Sequence, residues 1–209
     1  MGSGGLGRGA MSAIFLSAGV PPAPGRRGYD TADAYLIREA VSAFIEVVLG
    51  RRLIVWGGQP AITPMIWTAA NALQIPFAQS VVLYRSSFFE RYFLPDDERF
   101  ARIVTIPGVP GDRAQSLTLL RNAMLSSAEF EAAVFIGGSD GLFEELDVFS
   151  RLWPKAKVVA LPSPGGVAAE IHEIVRGDPA LRGAVDFAPR LYDLLQIRPS
   201  EHRGSRLDS

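Results

Sequence analysis

The chain has 209 residues, of which 48% are hydrophobic and 21% are charged, and its formal net charge is −1. This length is enough for one domain with a sizeable core and too short for two ordinary domains, and the near-neutral charge argues against a dedicated nucleic-acid binder. Because the chain has no cysteine and only two histidines, disulfides, thiolate nucleophiles, Cys-ligated zinc and multi-histidine metal sites are excluded, and we expect no metal and no cofactor.

Both ends of the chain have the composition of flexible segments. Residues 1–10 contain five glycines and are interpreted as a flexible leader or a tag, because a signal peptide would require an apolar run. Residues 198–209 are polar and predict a frayed tail, in which His202 has no expected role. No stretch approaches the roughly 18 apolar residues of a membrane span. We therefore predict one domain over residues 11–197 of a soluble, cytoplasmic protein with no membrane partner.

Between these ends, short apolar runs alternate with amphipathic patterns. In chain order they predict a strand at 13–19, a helix from Asp30 or Thr31 to about Leu49, a strand at 53–58, a helix at 63–73, strands at 80–86 and 101–106, a helix at 112–127, a strand at 132–138, a helix at 141–153 and a strand at 157–162. Strands without polar alternation, separated by helices, indicate a parallel sheet covered on both faces. The predicted fold class is a single doubly wound α/β domain with a mostly parallel, Rossmann-like sheet.

Four glycine-containing turns follow predicted strands, at the edge of the sheet where such folds bind ligands. They are SAGVPPAPG at 17–25, GGQPAITP at 57–64, GGSDG at 137–141 and SPGG at 163–166. Glycine permits positive φ and close backbone approach, and exposed amides at a helix start attract anions. The four turns together indicate a nucleotide or another phosphorylated ligand. None continues into GKS or GKT and none fits G-x-G-x-x-G, which excludes a P-loop and disfavours a standard dinucleotide site.

Helical periodicity places two charged residues on buried faces. Arg121 shares a stripe with Leu117 and Met124, and Glu145 lies between Leu142 and Phe149 on the apolar face of the next predicted helix. Burying an unpaired charge is costly, so each residue requires a partner or a ligand. Either the two bridge their helices, or both line the cleft at GGSDG, with Arg121 on a phosphate and Glu145 on the sugar. Glu144 points toward the flank and is the weaker candidate.

These residues resemble a known superfamily. The run LIVWGGQPAITPMIWTAANAL at 53–73, Arg121 and the run FIGGSDGLFEE at 135–145 are similar to the SLOG superfamily, named for the DNA-processing Smf proteins and the lonely-guy cytokinin-activating enzymes. The lonely-guy enzymes have an L-V-Y-G-G-G strand and loop, a helical arginine, and P-G-G-x-G-T-x-x-E. They cleave the N-glycosidic bond of nucleoside monophosphates with that arginine and the final glutamate. The resemblance covers about residues 11–176 and maps this pair onto Arg121 and Glu145.

The chain also departs from the enzymes. Ile136 replaces their proline, the glycine loop has one extra residue, Leu142 replaces a threonine, and Asn122 replaces a lysine. Losing a hydroxyl and a cation from a phosphate site weakens the case for hydrolysis. The runs V-W-G-G-Q-P, L-Y-R-S and S-P-G-G-V-A-A look closer to non-catalytic SLOG members of bacterial immune systems, similar to the sensor domain of Thoeris antiphage defence proteins. Those domains bind signals related to cyclic ADP-ribose, and homo-oligomers are common among such families.

Several further residues have two open interpretations. Trp56 and Tyr84 end strands and either stack on a base or fill the core. Arg85 either binds a pyrophosphate or is solvated. The aromatic connector SSFFERYF at 86–93 is a candidate subunit contact.

Polar residues of the turns are equally ambiguous. Ser17 and Ser163 either bind phosphate or make local turn hydrogen bonds. Asp140 is expected chiefly to cap the helix that follows it, and His172 to be a packed or solvent-facing histidine.

The leading prediction is a sensor domain that binds a nucleotide-derived small molecule of the ADP-ribose or cyclic ADP-ribose class, as a homo-oligomer. The predicted ligand-binding residues are Ser17, Gly19, Gly57, Gly58, Arg85, Arg121, Gly137, Gly138, Ser139, Asp140, Gly141, Glu145, Ser163, Gly165 and Gly166. The alternative is an N-glycosidase, a phosphoribohydrolase of a nucleoside phosphate, with Arg121 and Glu145 as its catalytic residues. A third possibility, a DNA-processing module like the Smf proteins, is disfavoured by the neutral charge balance.

Overall fold

A computed structural model describes residues 12–74 and 80–203, so the predicted leader and the last part of the predicted tail, 204–209, lie outside the described residues. In chain order the elements are β1 (Ala13–Gly19), α1 (Ala34–Val48), β2 (Leu53–Trp56), α2 (Thr63–Ala72), β3 (Val81–Ser86), β4 (Arg102–Ile106), α3 (Arg113–Leu125), β5 (Phe130–Gly137), α4 (Gly141–Leu152), β6 (Lys157–Leu161), α5 (Val167–Ile174) and α6 (Phe187–Leu195). Short 3₁₀ turns occupy Tyr29–Thr31, Ser87–Tyr92, Pro95–Arg99 and Pro179–Leu181.

The six strands form one sheet in which every neighbouring pair is parallel. Their order is β4-β3-β2-β1-β5-β6, which confirms the predicted doubly wound, Rossmann-like fold. The order reverses between β1 and β5, which pair directly, with Gly19 opposite Gly137. In open α/β sheets, ligands bind beyond the carboxyl ends of the strands at this switch point. The topology therefore directs attention to the two glycine-containing turns that leave β1 and β5.

Helices cover both faces of the sheet, as continuous apolar strands require. Helices α1, α2 and α6 pack on one face, and α3, α4 and α5 on the other. The central strand β1 alternates between the two, so that Phe15 packs against Phe135 and Phe149 with ring centroids 6.3 and 6.1 Å apart. Helix α6 was not predicted, although Phe187, Leu191 and Leu195 recur at intervals of four and are all buried.

The first helix starts later than the sequence suggested. Asp30 and Thr31 belong to a 3₁₀ turn, and Ala32 after them is extended with φ −75° and ψ 129°. The N-cap is Asp33, whose side chain accepts hydrogen bonds from two backbone amides of the first turn. The predicted cap was therefore wrong, because the extended backbone at Ala32 separates the turn from the helix. The Thr31 hydroxyl instead accepts a hydrogen bond from the Gly166 amide at 3.2 Å.

Residues 198–203 do not fray as the composition suggested. The buried guanidinium of Arg51 donates to the carbonyl oxygens of Val47, Pro199 and Glu201 at 2.9, 2.9 and 3.0 Å. Arg203 donates to the carbonyl oxygen of Leu49 at 2.8 Å. Carbonyls at the end of a helix lack intrahelical donors and attract cations, so the end of α1 binds this part of the predicted tail.

Candidate functional site

A cleft of about 390 Å³ lies at the carboxyl ends of β1, β2, β3 and β5, between them and the helices α3 and α4. This volume is within the usual range for small-molecule sites. The predicted binding residues that line the cleft are Ser17, Gly19, Gly57, Gly58, Arg85, Arg121, Gly138, Ser139, Gly141 and Glu145. The predicted residues outside its lining are Gly137, Asp140, Ser163, Gly165 and Gly166. Three of the four glycine-containing turns thus converge on one cavity.

The glycines after β1 and β5 bring two loops into direct contact. The Gly138 amide donates to the carbonyl oxygen of Gly19 at 2.6 Å. Gly137 has φ +63°, and a Cβ atom there would lie 2.5 Å from the Gly19 oxygen and 2.6 Å from Ile37. Only glycine fits both restrictions. Since the Gly138 amide already donates to Gly19, these glycines act by permitting the close approach of the two loops.

The fourth turn, SPGG at 163–166, supports this loop from outside the cleft. The Ser163 hydroxyl donates to the carbonyl oxygen of Ala184. The amide of Val167 donates to the carbonyl oxygen of Gly138 at 3.0 Å, and Gly165 packs directly against Thr31. These contacts give the turn a structural role in the observed arrangement.

Arg121 is buried at the edge of the cleft, as the periodicity of its helix predicted. Its residue is 7% exposed, and its Nη1 donates to Glu144. Glu144, the weaker sequence candidate, is therefore the hydrogen-bonded partner, although its side chain is 63% exposed. Among the residues that the structure describes, none accepts a hydrogen bond from the buried Nε of Arg121. A buried N–H without an acceptor costs free energy that a ligand oxygen would recover.

Glu145 faces Arg121 from the first turns of α4, with its Oε1 4.0 Å from the Arg121 Nε. Its other oxygen accepts a hydrogen bond of 2.5 Å from the Ser17 hydroxyl on β1. Burial raises the pKa of Glu145 above its ordinary value, and the Ser17 hydrogen bond and the Arg121 charge oppose this rise without cancelling it. The carboxyl therefore holds its proton to higher pH than a solvated glutamate, and it lies beside a cation at the topological switch point.

The segment between β3 and β4 forms another part of the lining, which the sequence did not predict. Phe89, Tyr92, Phe93 and Asp97 all line the cleft. Asp97 is buried, a rare position for a carboxylate, and its Oδ2 accepts a hydrogen bond from the Leu94 amide at 3.2 Å. The density of aromatic residues at 88–93 was a signal of burial, but without a sheet order it did not indicate which surface these residues would join.

The remaining candidates fall outside the ligand surface or at its margin. Tyr84 is buried in the core. Trp56 is 1% exposed and packs with the cluster under α1 and α2, but it also lines the cleft, and no described residue accepts a hydrogen bond from its Nε1. His172 is fully buried, and its Nδ1 lies 3.0 Å from the carbonyl oxygen of Ala160. The positions of Tyr84 and His172 agree with packing roles, whereas Trp56 belongs both to the core and to the lining of the cleft.

Asp140 does not act as the predicted cap. Within residues 12–74 and 80–203, no backbone amide donates to its side chain, which lies 3.9 Å from the Arg27 guanidinium. Its backbone has φ −45° and ψ −33°, whereas side-chain capping requires an extended residue.

The described residues contain no cluster of three or more histidine, aspartate or glutamate side chains suited to a metal ion. Within the same ranges, no helix is long and apolar enough to cross a membrane.

A family model described as the SLOG cluster3 family matches residues 27–195, which include the lining of the cleft except for the end of β1 and the turn after it. No curated protein and no solved structure matches the chain.

Proposed function

The chain belongs to the SLOG cluster3 family, and on that premise we propose that its cleft binds a nucleotide-derived small molecule of the ADP-ribose or cyclic ADP-ribose class and acts as a sensor. The observation that carries this proposal is Arg121, a buried cation with an N–H that no described residue accepts, facing a cavity of ligand size. An anionic oxygen of a phosphate would satisfy that N–H and add a charge-assisted hydrogen bond.

The surroundings of Arg121 suit the other parts of a nucleotide. The Ser17 hydroxyl and the Glu145 carboxyl, already joined by a hydrogen bond, offer polar groups for ribose hydroxyls. Phe89 supplies aromatic surface for a base. The cleft thus combines a cation, sugar-binding polar groups and an aromatic lining.

The side chain of Leu142 favours binding without turnover. It lines the cleft at the position where the enzymes have a threonine, and its Cδ2 lies 2.6 Å from where a Cβ on Gly138 would be. An apolar group therefore covers the glycine loop in place of a phosphate-binding hydroxyl. We infer that a ligand is held mainly by arginine side chains.

Calorimetry with ADP-ribose, cyclic ADP-ribose and NAD tests the proposal directly. Arg121→Gln should weaken binding about 10- to 150-fold, because a hydrogen bond to a charged group contributes roughly 1.5–3 kcal/mol. Arg151→Gln is the matched control, since Arg151 is exposed on α4 and pairs only locally with Asp147. If no compound of the panel binds the wild-type protein at millimolar concentration, the proposed function is wrong.

The raised pKa of Glu145 favours a second candidate function, N-glycoside hydrolysis. A carboxyl whose pKa is raised by burial is suited to general acid catalysis, and Arg121 beside it would orient a phosphorylated substrate. Release of free base from AMP, IMP or NAD should then occur with the wild-type protein and with Glu144→Gln, and disappear in Glu145→Gln. Absence of base release from the wild-type protein would reject hydrolysis and leave the sensor proposal intact.

A further inference from the structure

A second arginine, Arg85, lines the cleft, and its side chain is 17% exposed. Arg85 is the penultimate residue of β3, and its guanidinium lies 4.1 Å over the ring of Phe93. Its Nε donates to the Thr105 hydroxyl at 3.2 Å and its Nη2 to Glu98 at 3.3 Å. The Nη1 atom is buried, and in the described part of the chain nothing accepts a hydrogen bond from it.

Glu98 and Asp97 both pair with this cation, but neither accepts a hydrogen bond from its Nη1 atom. Asp97 Oδ2 is 3.7 Å from the Arg85 Nη1, beyond hydrogen-bond distance. That carboxylate already accepts hydrogen bonds from the Leu94 amide and, at 3.5 Å, from the Thr63 hydroxyl. Burial raises the pKa of Asp97, so its negative charge is more easily lost than that of a solvated aspartate. Arg85 therefore retains an N–H that no described residue accepts, while Asp97 and Glu98 pair with its charge.

Arg85 and Arg121 are fixed at separate points of the same cleft. Arg85 belongs to β3 and pairs with Asp97 and Glu98. Arg121 belongs to α3 and pairs with Glu144. Arg121 faces Glu145, which is hydrogen-bonded to Ser17 on β1. Arg85 belongs to β3, and β1 and β3 are two strand spacings, roughly 10 Å, apart. Each guanidinium has its own partners and its own free N–H, so the two present distinct binding points for anionic oxygens.

We propose that Arg85 is a second anion-recognition residue, so that the cleft selects ligands with at least two phosphoryl groups over nucleoside monophosphates. One phosphoryl group binds at Arg121 and another at Arg85, and the aromatic segment that carries Phe93 covers the Arg85 end of the ligand. This inference rests on the proposed function, because it concerns the ligand of the same cleft. It makes Arg85 the residue that distinguishes a diphosphate signal from the monophosphate substrates of the hydrolases.

The test compares AMP and ADP as probes by calorimetry. The wild-type protein should bind ADP at least tenfold more tightly than AMP. Arg85→Gln should bring ADP to the affinity of AMP and change AMP binding less than twofold, whereas Arg121→Gln should weaken both. Arg91→Gln is the matched control, because Arg91 is an exposed cation of the same segment and does not line the cleft.

The outcomes distinguish the two proposals. Equal affinities of AMP and ADP in the wild-type protein would overturn the role of Arg85 while leaving nucleotide binding established, and this comparison requires no variant to fold. Equal weakening of both probes by Arg85→Gln, with an unchanged melting temperature, would also overturn it. If Arg85→Gln is unstable, Arg85→Lys replaces it in the test. This variant keeps the charge and should retain part of the preference for ADP. Failure of ADP to bind the wild-type protein would also overturn the role of Arg85, whereas the proposed function itself is rejected only if ADP-ribose, cyclic ADP-ribose and NAD fail to bind.

Discussion

Replacing Glu145 with glutamine should stabilise the protein at neutral and alkaline pH, because the change removes a carboxylate that the fold buries. The Glu145 side chain is 20% exposed, and its hydrogen bond from Ser17 persists with a glutamine oxygen as the acceptor. The Arg121 Nε, 4.0 Å away, is too distant for a hydrogen bond to the carboxylate. Burial therefore dominates the balance and raises the pKa of Glu145 above its ordinary value of 4.5.

The raised pKa determines the sign of the pH dependence. Below about pH 4.5 the carboxyl is protonated in both the folded and the unfolded chain and costs nothing. As pH rises, the unfolded chain loses this proton first, so the free energy of unfolding falls until pH exceeds the folded-state pKa. The loss is about 1.4 kcal/mol for each unit by which the pKa is raised. Glu145→Gln abolishes this contribution, so its advantage over the wild type is absent at pH 4 and largest at pH 8.

Thermal unfolding from pH 4 to pH 8 measures this difference. Each kcal/mol corresponds to about 2–4 °C in melting temperature for a domain of this size. The raised pKa of Asp97 contributes equally to both proteins and cancels in the comparison. Glu144→Gln is the matched control, and it should be neutral or mildly destabilising at pH 8 because it breaks an exposed pair with Arg121. A lower melting temperature of Glu145→Gln at pH 8 would refute the reasoning, since it would mean that pairing with Arg121 outweighs burial.

Three further predictions concern the stability of the fold. Gly137→Ala should cost about 2–5 kcal/mol, because the residue has a positive φ and an added Cβ would clash with a backbone oxygen. Gly183→Ala, at φ +73° with no described atom within 4 Å, should cost only about 1–2 kcal/mol. Denaturant unfolding of both variants therefore separates the cost of backbone strain from the cost of the clash. Ser163→Ala should lose about 1 kcal/mol of stability and leave nucleotide affinity unchanged, so a large affinity loss in calorimetry would return this residue to the ligand site. Arg51→Met should destabilise by about 2–4 kcal/mol, because several carbonyls lose their donor, and should expose residues 198–203 to limited proteolysis; unaltered protease resistance would contradict the described anchoring.

Much of the fold was predictable from local patterns. The strand at 13–19 has the bounds that its apolar run predicted, and α4 ends within one residue of its predicted end. These predictions succeeded because a continuous apolar run and a 3.6-residue period each reflect burial of one segment, whatever its neighbours are. The same periodicity correctly placed Arg121 on a buried face.

The partners in the site were not predictable in this way. Ser17 and Glu145 are 128 positions apart and form a hydrogen bond because β1 lies beside β5, a pairing that no local pattern contains. Glu144 rather than Glu145 is hydrogen-bonded to Arg121, because the long arginine side chain extends past the buried face of its own helix. The aromatic segment and Asp97 join the cleft because they belong to the connection that leaves the carboxyl end of β3 and leads to the edge strand β4.

The sequence by itself thus determined the class of fold, the glycine-containing turns and the two inward charges, since each depends on hydrophobic periodicity or on backbone freedom within a few residues. Only the tertiary structure decided which turns face the cavity, and it assigned SPGG at 163–166 to the support of the loop at 137–138. It also decided that Arg85 and Arg121 share one cleft, because strand order and helix placement bring together residues that the chain keeps far apart.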